Sequence, residues 1–150
     1  MQSIRASLSR LLSKKHKVSC HYLIDRKGKI FKMVDENKIA WHAGKSKWRK
    51  FKNLNKSSIG IELENKGHKF GYQKFPSKQI NVLINLCLLL KKKYRIKDCN
   101  ILGHSDIAPL RKKDPGEKFP WNYFSIRKIG LWHNLNLKKI NKIKNNKITK

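Results

Sequence analysis

Acidic residues are scarce in this chain: nine Asp and Glu stand against 37 Lys and Arg, a formal net charge of +28 over 150 residues. A field of that size attracts any polyanion, so nucleic acid is the first partner to consider. No helix-turn-helix, RNP or zinc-finger pattern accompanies the charge, and the lysines are spread through every segment, interleaved with Asn and Ile as in the tail Leu137 to Lys150. The reading is a general lysine bias with no specific nucleic-acid partner. Cysteine is short as well. Cys20, Cys87 and Cys99 make an odd count without a CxxC pair, which argues against a disulfide framework and against a cysteine-held zinc and leaves reduced, structural thiols. The apolar run from Val82 to Leu90 is too short to cross a bilayer and ends in Lys91, Lys92 and Lys93. The opening residues lack the continuous apolar stretch of a signal peptide, so the expected location is cytoplasmic as written, or periplasmic if a signal stands upstream.

What the chain does hold is enough for one compact unit. With 39% hydrophobic residues it can bury one ordinary core, expected over 1–132, followed by a basic tail over 133–150. Ile4, Leu8, Leu11 and Leu12 recur at helical spacing and predict a short amphipathic helix over 2–13. Residues 18–25 and 29–34 alternate β-branched and aromatic positions around Gly28 and predict a hairpin. The stretch 45–56 has no clean period and reads as surface loop. In 57–64, Ile59, Ile61 and Leu63 fall on one face of a strand, with Glu62 and Glu64 on the other. A long helix opens after Pro76 with Ser77 as its cap and turns Ile80, Leu83, Ile84, Cys87, Leu88 and Leu90 inward. A buried strand over 100–104 and a last helix over 120–129, stopped by Gly130, complete a mixed α/β fold with a central mixed sheet flanked by helices.

The chemistry gathers on one Pro- and Gly-punctuated loop. His104 and Asp114 stand ten positions apart across Pro109, Pro115 and Gly116, with Lys112 two residues before Asp114. Imidazole nitrogen and carboxylate oxygen are the ligands of a hydrolytic zinc, and an ammonium beside them can hold a developing oxyanion. On any arbitrary loop the plainer reading, an exposed His and an Asp-Pro turn, competes with this one. A general base needs a carboxylate held near the attacking water and partly desolvated, and Glu62, nearer its strand's centre than Glu64, is the better candidate. Trp41 and His42 lie in a loop ending at Gly44, where a flat indole face can line a substrate cleft or pack on the surface. His21 reads as a hydrogen-bonded core histidine, and His16, His68 and His133 have no constellation around them.

Val18 to Gly28, Ala40 to Gly44, Ser58 to Asn65 and Gly103 to Gly116 together resemble, in order and spacing, the zinc-dependent N-acetylmuramoyl-L-alanine amidases of the type 2 amidase and peptidoglycan recognition protein superfamily. The resemblance runs to about Trp132. It implies a mixed α/β fold and hydrolysis of the amide between N-acetylmuramic acid and L-alanine in peptidoglycan or muropeptides, in cell-wall turnover or recycling. It implies Zn2+ as cofactor, His104 and Asp114 as ligands, Glu62 as general base, Lys112 as oxyanion donor, Trp41 and His42 at the substrate, and a monomer. In this family the first zinc histidine ends an opening strand, and the present chain begins after that point. The expectations that follow are a natural protein extending upstream of Met1, a shortened and inactive remnant, or replacement of the ligand by His21. As written, the fold is expected to lack its first strand and the chain to bind zinc weakly and hydrolyse slowly or not at all. The alternative function is a non-catalytic peptidoglycan-binding module.

Overall fold

A computed structural model describes residues 4–13 and 17–133. His16, the first two residues of the expected 2–13 helix and the tail beyond His133 lie outside them. Helix α1, Ile4–Leu12, sets Ile4, Ser7, Leu8 and Leu11 on its inner stripe, with Ser7 fully buried. Strands β1, Tyr22–Ile24, and β2, Ile30–Lys32, form the expected hairpin, shorter at both ends, with Tyr22 opposite Lys32 and Ile24 opposite Ile30. The turn is held by Asp25, whose Oδ1 accepts the amides of Lys27 at 2.9 Å and Lys29 at 2.7 Å, while Gly28 takes φ +86°. Two further short strands, β3, Lys47–Trp48, and β4, Phe51–Lys52, pair antiparallel. That corrects the loop expected over 45–56: the turn is made by Arg49 at φ 51°, a conformation that a non-glycine residue does not advertise in sequence.

Strand β5, Ile61–Leu63, runs parallel to β1, so the described sheet has the order β2-β1-β5, mixed as expected. Strand β1 is central and buried on both faces. Against one face packs α2, Ser77–Tyr94, burying Ile80, Leu83, Ile84, Leu86, Cys87 and Leu90 over Tyr22 and Ile24. Ile59, Ile61 and Leu63 pack on the same core, which confirms the face read from their alternation. Leu88 is 41% exposed and Leu86 takes its place, because Leu86 continues the stripe of Gln79 and Leu83 at seven and three residues. Ser77 is the first helical residue rather than the cap. Pro76 is the cap, and its carbonyl accepts Ile80 N–H. Gln79, fully buried, sends its Nε2 to the carbonyls of Ile24 and Glu64 and so ties α2 to the ends of β1 and β5.

The expected strand over 100–104 is not one. Asp98–Asn100 form a 3-10 turn, Ile101 to Gly103 run extended outside any sheet, and His104 opens the short helix α3, His104–Ile107. The Asp106 carboxylate accepts the Gly103 amide at 2.7 Å and starts that helix. The last helix, α4, covers Trp121–Ser125, then unwinds through i to i+3 bonds, and Lys128 at φ 57° and Gly130 at φ 69° turn the chain out. Phe119, Phe124 and Ile129 close the core beside α2. No helix among the described residues is long and apolar enough to cross a membrane.

Candidate active site

Four segments converge at one end of the sheet. Strand β5 carries Glu62, the loop after β2 carries Trp41 and His42, the first turn of α3 carries His104, and the loop after α3 carries Lys112 and Asp114. All six line a single cavity of about 950 Å3. A shallower concavity of about 450 Å3 opens beside it over Trp41, His42, Asn55, His104, Arg111 and Lys112. The sequence expectation therefore assembles in space.

The distances give that assembly chemical content. His104 Nδ1 stands 3.1 Å from Asp114 Oδ2, and His104 Nε2 lies 3.1 Å from the Ala43 carbonyl. A carbonyl only accepts, so Nε2 donates to Ala43, and Nδ1 meets the carboxylate through a proton of its own or through a cation in that proton's place. Two acceptors at that separation need a cation or a shared proton between them. Tetrahedral zinc with nitrogen and oxygen ligands at about 2.0–2.2 Å sets neighbouring ligand atoms about 3.4 Å apart, close to the spacing seen. The pair fits a divalent ion as two ligands. A hydrolytic zinc takes three protein ligands, and among the described residues no group of three His, Cys, Asp or Glu is placed to hold an ion. His21 does not serve as the third. Its Nδ1 accepts Gly60 N–H at 3.0 Å, its Nε2 donates to the Lys38 carbonyl at 3.0 Å, and it is 1% exposed, the core histidine expected.

Burial pushes the Glu62 carboxyl up, and the Asp114 carboxylate adds to this, while His104 and Lys112 oppose it. A carboxylate made more basic in this way suits proton abstraction. Glu64, its neighbour on the same face, is committed elsewhere, accepting the Arg26 amide at 3.0 Å. Around Asp114 desolvation acts to raise the carboxyl, but the hydrogen bond and charge of His104, helped by Lys112, hold it below the usual range. His42 is pushed down to about 4, chiefly by burial, so it is neutral at physiological pH; its Nε2 bond to the Ser58 carbonyl works against the shift, and His21 and His104 reinforce it. Its ring lies on Gly60, where an added Cβ would come within 2.2 Å of the imidazole Cγ.

Two residues that hold the site were not singled out from sequence. Asn55 Oδ1 accepts the amides of His42 at 3.1 Å and Ala43 at 2.7 Å, and Arg111 donates to the carbonyls of Ala43 at 2.8 Å and Lys45 at 2.9 Å. Together they pin the Trp41–Lys45 loop over His104. The only signal for Arg111 was its place beside Lys112. His68, given no role from sequence, lines the same cavity and pairs with Glu117 at 2.8 Å.

The chain matches the Amidase_2 family, N-acetylmuramoyl-L-alanine amidase, over residues 2–117. It belongs to that family. It is 42% identical over 139 residues to the N-acetylmuramoyl-L-alanine amidase AmiD of Escherichia coli strain K12, covering 85% of this chain and 50% of AmiD. It is 40% identical over 109 residues to the 1,6-anhydro-N-acetylmuramyl-L-alanine amidase AmpD of Haemophilus influenzae, covering 72% of this chain and 57% of AmpD. Among solved structures, the E. coli AmiD complex with anhydro-N-acetylmuramic acid-L-Ala-D-gamma-Glu-L-Lys superposes with a TM-score of 0.80 at 39% identity, over 93% of this chain and 58% of that one. AmpDh3 of Pseudomonas aeruginosa gives 0.81 at 36%, over 88% and 57%. The Amidase_2 fold is thus present, in a chain that spans about half the length of the relatives it matches.

Proposed function

We propose that this chain is an N-acetylmuramoyl-L-alanine amidase, hydrolysing the amide between N-acetylmuramic acid and L-alanine in peptidoglycan or muropeptides. The observation that carries the reading is the meeting of Glu62, His104, Lys112 and Asp114 in one cavity of a chain with the Amidase_2 fold. His104 and Asp114 would hold Zn2+, which when bound supplies Lewis-acid activation of water and of the scissile carbonyl. Glu62 takes the proton of the attacking water and passes it to the nitrogen of the leaving L-alanine. Lys112 sets an ammonium where the carbonyl oxygen gains negative charge. Trp41, 53% exposed, offers a flat amphipathic face to the substrate, and the neutral His42 lines the same wall.

That only two such ligands meet among the described residues favours a second reading, a module that binds muropeptides without cleaving them. One assay separates the two. Incubation with anhydro-N-acetylmuramic acid-L-Ala-D-gamma-Glu-L-Lys and zinc is expected to release the stem peptide slowly. Glu62→Gln lowers that rate by about 100-fold or more, the usual contribution of general acid–base catalysis, while substrate binding stays within about threefold of the parent chain, since Glu62 acts on the proton and not on affinity. Saturable binding with no release by the parent chain would establish the module. Equal rates in parent and variant would remove Glu62 from the chemistry.

A further inference from the structure

Asp114 is followed by Pro115, whose ring fixes φ and whose nitrogen has no proton to donate, so its carbonyl is the one backbone group by which that residue can be tied down. Tyr72 ties it. The hydroxyl donates to the Pro115 carbonyl at 2.5 Å and accepts the Lys118 amide at 3.1 Å, so the phenol spends its donor and an acceptor position on one loop. Gly116, at φ +85°, permits the approach, since a Cβ there would stand 2.8 Å from the hydroxyl oxygen. Lys118 closes the contact from its own side, with Nζ 2.7 Å from the Tyr72 carbonyl and 4.9 Å from the centre of the ring. Burial pushes the Tyr72 hydroxyl up, the Lys118 amide opposing and the Glu117 charge adding, which keeps the proton on the donor at neutral pH.

Tyr72 is itself anchored to the strand that carries Glu62. Asn65, buried and two residues past β5, accepts the amides of Gly67 at 3.2 Å and Gln73 at 3.3 Å and donates to the Gln73 carbonyl at 2.8 Å, which closes the base of 66–72 against the end of β5. The ring meets Phe75 edge-on at 6.1 Å. On the other side the Pro115 ring lies on Gly103, where a Cβ would come within 2.6 Å of its Cδ, and the Ser105 amide donates to the Asp114 carbonyl at 2.8 Å. What holds Pro115 therefore also holds His104 and Asp114 together. We propose that Tyr72 is a positioning residue of this site: through Pro115 it sets the Asp114 carboxylate against His104 and against Glu62 on β5. The inference rests on the amidase reading, since it takes Asp114 as a ligand of Zn2+ and Glu62 as the base. Groups that orient a metal ligand are worth about 10- to 100-fold in metal affinity. His68 and Glu117 bracket the same loop, but through an exposed ion pair, which contributes little.

Calorimetric titration of the whole chain with Zn2+ tests it. Tyr72→Phe keeps the ring and removes only the hydroxyl, so zinc affinity is expected to fall by about tenfold with an unchanged circular dichroism spectrum. Glu117→Gln, which breaks the exposed pair beside it, is expected to leave zinc affinity within about threefold of the parent chain. In the peptide-release assay Tyr72→Phe is expected to lower kcat with KM near the parent value, because the hydroxyl acts on the reacting groups and not on substrate affinity. Zinc affinity unchanged in Tyr72→Phe, or lowered equally by Glu117→Gln, would overturn the proposal, as would a parent chain that takes up no zinc. A parent chain that binds zinc and releases no peptide removes the amidase reading alone, and the titration still decides for Tyr72. If Tyr72→Phe does not fold, amide exchange in the parent chain decides: zinc is expected to slow Ser105 and Lys118 together, and slowing at Ser105 alone would break the link.

Discussion

At the scale of single residues, charge does much of the organising in a chain so short of acids. Glu36 illustrates it. Lys93 Nζ lies 2.6 Å from its Oε2, and the hydroxyls of Tyr22 and Tyr94 donate to the same carboxylate, whose side chain is 9% exposed. The Lys93 hydrogen bond first, then those of Tyr22 and Tyr94, bring the carboxyl down to about 2. The sign follows from where protons bind. The unfolded carboxyl, near the ordinary value of about 4.3, takes its proton first as pH falls, so the stabilisation is complete above that value and drains away toward pH about 2. Thermal melts between pH 6 and pH 2 are expected to show the gap between the parent chain and Glu36→Gln shrinking steadily below pH about 4.5. A gap that stays constant would mean that the carboxylate charge contributes nothing there. The same scale shows why Arg111 and Asn55 escaped the sequence reading: both act on backbone amides and carbonyls of the Trp41–Lys45 loop, and no side-chain pattern marks such partners. Glu62, Lys112, His104 and Asp114 could be named as candidates from sequence because their side-chain types can carry such chemistry themselves.

At the scale of elements, the hairpin of β1 and β2, the strand β5 and the helix α2 followed from period-two and helical patterns that a half-buried strand or a packed helix imposes. The stretch from Ile101 to Gly103 did not, because an apolar run specifies an extended chain but not the neighbour that makes it a strand. The β3–β4 hairpin was hidden by two-residue strands and a turn without glycine. Gly60 shows how an element serves the site. It lies just before β5, its amide donates to His21, and the His42 ring occupies the space of its missing side chain. Gly60→Ala is expected to destabilise the chain by about 2 kcal/mol, the cost of overpacking a filled site. Made in a His42→Ala background, the same change should cost little, since the colliding ring is gone. Equal costs in both backgrounds would show that the backbone at Gly60, and not the imidazole, resists the substitution.

At the scale of the whole molecule, one sheet brings a strand carboxylate, a helix-borne imidazole and a loop carboxylate to a common end, and α2 fixes that sheet from behind. The fold class was legible from the order of patterned segments. The convergence of distant residues was legible only through the family resemblance, because spacing in sequence does not specify a meeting point in space. The account depends on His104 and Asp114 gripping one divalent ion together. Calorimetric titration of the chain with Zn2+ tests that most directly. The account predicts a single weak site, weak because two ligands among the described residues hold it, with affinity falling by about tenfold or more in either His104→Ala or Asp114→Ala. Zinc affinity unchanged in both variants would contradict it.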